Sequence, residues 1–132
     1  MELTIKDKTY PFRFGIAFMR DINTLDSIKS PTGIEQPAGF AVKAAGVIDG
    51  NLIDLCDMLI IANKTENPKI SRAVLEDYLD DEDTDIDAVF KETVDFLSKA
   101  NACKTQLKRL EKMIALSKAE GEEVAYPIHI ED

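Results

Sequence analysis

Apolar and polar residues alternate at the start of the chain. Leu3 and Ile5 interleave with Glu2, Thr4 and Lys6; after "KDK", Tyr10, Phe12 and Phe14 resume, with Pro11 and Arg13 pointing the other way. A period of two predicts a short β-hairpin with one apolar face. Pro11 cannot donate to a ladder, so its strand belongs at an edge. Gly15 closes the strand, and the spacing of Ile16, Phe18, Met19 and Ile22 is already helical.

The pattern then lapses. From Thr24 to Gly39, "TLDSIKSPTGIEQPAG" packs Ser-Pro, Thr-Gly and Gln-Pro into a short space, which predicts the chain's one real loop. A small-residue helix, "FAVKAAGVI", leads from Phe40 to a "DGN" turn, where Asp49 or Asn51 can cap the next helix. In that helix Leu52, Leu55, Cys56, Leu59 and Ile60 form one stripe, with Asp54 and Asp57 off it. Ser71 is the expected N-cap of a short helix from Arg72 to about Leu79, and Ile70 is placed to staple onto Leu75.

"DDEDTDIDAVFKE", Asp80 to Glu92, admits two readings. Asp81, Asp83, Asp85 and Glu92 fall at ligand positions of a calcium loop, but the position that needs glycine is Ile86. A β-branched residue is strained in the left-handed turn required there. The competing reading is a helix start, with Thr84 and Asp87 as a capping box and Asp85 and Asp87 favoured by the helix dipole. It explains more residues, because Ile86, Val89, Phe90 and Leu97 already form a helical stripe.

That stripe continues through Ala100, Cys103, Leu107, Leu110 and Ile114, and no Pro or Gly intervenes before Gly121. The segment is one long helix or two helices broken near Asn101. The fold expected is therefore mainly α: an N-terminal hairpin followed by about five helices, the last one long. Residues 1–118 form one domain on this reading, and residues 119–132 an acidic, flexible tail. Charge is segregated along the last part, with acids from Glu76 to Glu92 and bases from Lys104 to Lys118. Opposite blocks of this kind can pair within one chain or between copies, as in a homo-oligomer.

Composition narrows the function more than the fold. With 132 residues, 45% of them hydrophobic, the chain can bury a core. A net charge of −9 disfavours nucleic acid and anionic membrane surfaces as partners. The N-terminus lacks a basic-then-apolar leader, the most apolar run is too short to span a bilayer, and the two scattered cysteines read as reduced thiols. A cytoplasmic protein is expected. Chemistry is hard to find: His129, the only histidine, sits near the C-terminus, and the cysteines have no CxxC or zinc spacing. The glycines match neither G-x-G-x-x-G nor a P-loop. No catalytic residue, cofactor or metal site is therefore assigned, and an enzyme is not expected.

The order of elements resembles the tail assembly chaperones of phages and prophages of Gram-positive bacteria. The resemblance rests on "ELTIKDKTYPFRFG" leading into "FMRDIN", on "VIDGNLIDLCDMLIIA", and on "KISRAVLEDYLDD" followed by "DIDAVFKETVDFLSKA". It spans roughly Met1 to Leu110; the Thr24–Gln36 segment and the chain beyond Lys118 depart from the pattern. The resemblance implies an ATP-independent assembly factor of the host cytoplasm, absent from the finished virion. Such a factor binds the tape measure protein and brings major tail protein to it. On that basis the expected protein-binding residues are Leu107, Leu110 and Ile114, facing outward on the distal helix, with Phe14 and Phe18 as a second patch. A calcium-binding module on Asp81–Glu92 and an acidic DNA mimic are the alternatives from other classes.

Overall fold

In the computed structural model, which describes residues 1–29 and 31–119, the alternating start is an antiparallel hairpin of β1 (Glu2–Ile5) and β2 (Lys8–Pro11). Leu3 pairs with Tyr10 and Ile5 with Lys8, so Leu3, Ile5 and Tyr10 are buried together. Pro11 lies at the end of the ladder, and the next amide, Phe12 N–H, donates to the Met1 carbonyl at 2.8 Å. The connecting residues Lys6 and Asp7 both take positive φ, 51° and 67°. A two-residue hairpin turn demands that conformation, here met without glycine.

Six α-helices follow among the described residues: α1 (Ile16–Ile22), α2 (Gly39–Ile48), α3 (Leu52–Asn63), α4 (Arg72–Asp80), α5 (Ile86–Lys99) and α6 (Lys104–Ala119). The mainly α class with an N-terminal hairpin is as expected. α2 lies at the centre and packs on α1, α3, α5 and α6. Gly39 permits that position, because a Cβ there would overlap the carbonyl oxygen of Ile22. The ion pairs of Lys43 brace the other side of α2, reaching Asp54 at 3.1 Å and Asp57 at 2.9 Å, and Arg72 of α4 meets Asp57 at 2.9 Å. Asp54 and Asp57, off the apolar stripe of α3, thus face a polar seam.

Three sequence expectations are corrected. The segment from Thr24 to Gly39 is not all loop. It holds a 3-10 turn (Asn23–Leu25) and a second hairpin, β3 (Ser27–Lys29) with β4 (Glu35–Pro37). These strands are three residues long and largely exposed, so they lack the buried face that makes a strand visible in a sequence.

Of the two readings of the long segment the broken one holds, and the last helix is not the long one expected, because Ala100 takes an extended ψ of 124°. Its carbonyl then accepts the amides of Cys103 (3.0 Å) and Lys104 (2.8 Å), which starts α6 in a new direction. Among the described residues α6 runs for 16 residues.

The cap of α5 is Asp85, whose carboxylate accepts the Ala88 amide at 3.1 Å, not Thr84. Thr84 Oγ1 instead donates to the Tyr78 carbonyl at 2.6 Å, tying the turn to the end of α4. Asn51 and Ser71 cap α3 and α4, accepting from Asp54 and Val74. The calcium-loop alternative loses its geometry here. Asp81 accepts the Asp83 amide, Asp85 is a cap, and everything from Ile86 to Glu92 is helix. Of the expected tail, residues 120–132, with His129, lie outside the described residues.

Candidate functional site

Two distant stretches meet at one groove. The β2–α1 corner supplies Phe12, Arg13, Phe14, Gly15, Ile16 and Phe18; the α5–α6 elbow supplies Phe96, Lys99, Ala100, Asn101 and Ala102. The corner is fixed from behind. Arg13 N–H donates to the Ala62 carbonyl at 2.8 Å, and buried Asn63 donates to the Pro11 carbonyl at 2.9 Å. The elbow is fixed by wholly buried Cys103, whose Sγ lies 3.7 Å from the Phe14 carbonyl. Phe14 and Phe18 meet edge to face at 5.1 Å, and Phe18 meets Phe40 at 6.5 Å in the same manner.

The groove encloses about 730 Å³. Its floor is buried, but two large apolar side chains at its rim are in water: Ile16 is 73% exposed and Phe96 40% exposed. Arg13 and Lys99 are the only charged residues lining it, and neither has a carboxylate partner among the described residues.

Of the expected protein-binding residues, Phe14 and Phe18 line this groove from its floor. Leu107 and Leu110 do not face outward. Both are buried in the chain's own core, because the bend at Ala100 turns that flank of α6 onto α2. Ile114 is half-buried at the core's margin, and its neighbours Met113 and Leu116 are exposed.

Sequence reading missed Ile16 and Phe96 as surface residues. Phe96 carries a signal: it is a large aromatic one position out of register with the stripe that ends in buried Leu97. Ile16 carries none, since its spacing fits the helical stripe of α1.

The arrangement suits binding rather than bond-making. Burial pushes the Cys103 thiol up to about 12. Burial also raises Cys56, outweighing the pull of nearby Arg72. Both thiols stay protonated near neutral pH, where a nucleophile needs thiolate. Among the described residues no group of three His, Cys, Asp or Glu is placed to hold a metal ion, and no helix is long and apolar enough to cross a membrane.

The sequence model of the family described as phage tail assembly chaperone protein, TAC, matches residues 2–112. The chain belongs to that family. The match covers the hairpin, the first five helices and the first half of α6, so both walls of the groove lie within it. No curated protein and no solved structure matches the chaperone. Its role is accordingly in phage tail assembly, a non-enzymatic kind of task carried out with phage tail proteins in the infected host.

Proposed function

We propose that the chaperone is an ATP-independent holdase that covers apolar stripes of the tape measure protein and brings major tail protein to it. The groove between the β2–α1 corner and the α5–α6 elbow is the main contact. The observation that carries this reading is the pair Ile16 and Phe96, kept in water at the mouth of a groove whose buried floor is apolar. Ile16 is largely exposed and Phe96 less than half, so covering both is worth roughly 2–3 kcal/mol together, a contribution to reversible capture of an amphipathic helix. Met113 and Leu116, beside Ile114 on α6, offer a second and smaller contact. Leu107 and Leu110 serve it indirectly, by anchoring α6. On this reading the chaperone works in the host cytoplasm while tails are built and is left out of the virion, and its net charge of −9 keeps it soluble when carrying an apolar client.

Co-expression with a tape measure fragment tests the proposal. Ile16→Asp is a surface change that leaves the thermal midpoint nearly unchanged, whereas Phe96→Asp, at a side chain more than half covered, lowers it by a few degrees; both abolish co-purification. Retained co-purification by the folded double variant overturns the groove assignment.

A further inference from the structure

We infer that the groove selects an apolar helical segment flanked by carboxylates, with Arg13 and Lys99 as the residues that set this preference. The inference rests on the reading of the groove as a partner site and adds the chemistry of the partner.

Its basis is a local reversal of charge. The chain carries 25 acidic and 16 basic residues, yet not one carboxylate lines the groove, while two cations do. Elsewhere in the molecule the balance is opposite: the depression between β1 and the α4–α5 turn is lined by four carboxylates, Asp77, Asp81, Asp83 and Asp85, against one cation, Lys6. Structural duties account for part of the pattern at most. Lys99 stands in the last turn of α5, where a cation complements the helix dipole. Arg13 has no such role; its side chain runs back over Gly15, at the groove itself.

Screening decides which field a docked segment feels. At physiological ionic strength the screening length is about 8 Å, so an occupant of the groove feels most strongly the charges that line it, Arg13 and Lys99. A segment with basic flanks is repelled at the rim and drawn to the acidic depression instead. The cations therefore add discrimination and register to an affinity that comes from apolar contact.

Two synthetic amphipathic helices with one identical apolar stripe, flanked by Glu in one and by Lys in the other, test this by fluorescence anisotropy on the full chain. The wild type binds the Glu peptide roughly tenfold more tightly, the scale expected from two exposed ion pairs gained against two repulsions. The Arg13→Glu/Lys99→Glu variant reverses the order, and Arg13→Lys keeps it, with circular dichroism confirming the fold of each. Equal binding of both peptides, or a preference for Lys, overturns the selection and leaves the groove reading standing. Binding that survives Phe96→Asp, or no binding of either peptide by the wild type, overturns the groove and the selection together. If Phe96→Asp changes only self-association by sedimentation, the occupant is a second copy of the chain and the inference falls.

Discussion

Asn63 shows how much one polar side chain can hold in place. It is buried at the end of α3, donates to the Pro11 and Pro68 carbonyls at 2.9 and 3.1 Å, and accepts the Ile70 amide at 2.8 Å. Replacing it with Leu strands three main-chain groups, so Asn63→Leu should cost about 3 kcal/mol or more in urea denaturation. Cys103 makes a pH-dependent contribution. Its thiol titrates near 9.0 when unfolded and is pushed up to about 12 by burial in the native chain. The native state therefore keeps a proton that the unfolded state gives up. The stabilisation is complete below pH 9 and declines between 9 and 12 by about 1.4 kcal/mol per pH unit. The deficit of Cys103→Ala relative to wild type, set by a cavity at pH 7, should accordingly shrink as pH rises above 9. A constant deficit in denaturation curves at pH 7 and pH 10.5 would contradict this account. Neither residue's role was legible: Asn63 reads as an ordinary helix end, and Cys103 as one more apolar position.

Among the elements, caps and turns were partly legible. Ser71 was identifiable because it precedes an apolar stripe that cannot begin elsewhere, and Asn51 was one of two candidates, with Asp49, for α3. At α5 the sequence pointed to Thr84 as the cap, and the switch to Asp85 depends on the Tyr78 carbonyl, which engages Thr84. Asp85→Ala should cost about 1 kcal/mol, and Asp85→Asn should recover most of it. Hydrogen exchange at the Ala88 amide should accelerate in Asp85→Ala and not in Thr84→Ala. The first hairpin points the other way. Asp7 at φ 67° occupies a conformation that glycine adopts without cost, so Asp7→Gly should raise stability by about 0.5 kcal/mol, seen as a higher thermal midpoint. The second hairpin was invisible because its exposed strands leave no periodic trace.

For the whole molecule, the candidate site exists only because residues 12–18 and 96–102 are brought side by side. The periodicities of two and of three to four, the capping residues and the acidic excess are local properties, so residue order alone settled the first hairpin, the helices with most of their limits and the mainly α class, though not the exposed second hairpin. It also determined that Phe14, Phe18, Leu107 and Leu110 must be covered by something. A stripe states that water is to be excluded but not which surface excludes it, because burial of apolar area has no preferred direction. It is the packing in three dimensions that turns the chain at Ala100 and seals Leu107 and Leu110 on α2. The same packing sets exposed Ile16 and Phe96 on the two walls of a groove whose cations no local pattern had brought together.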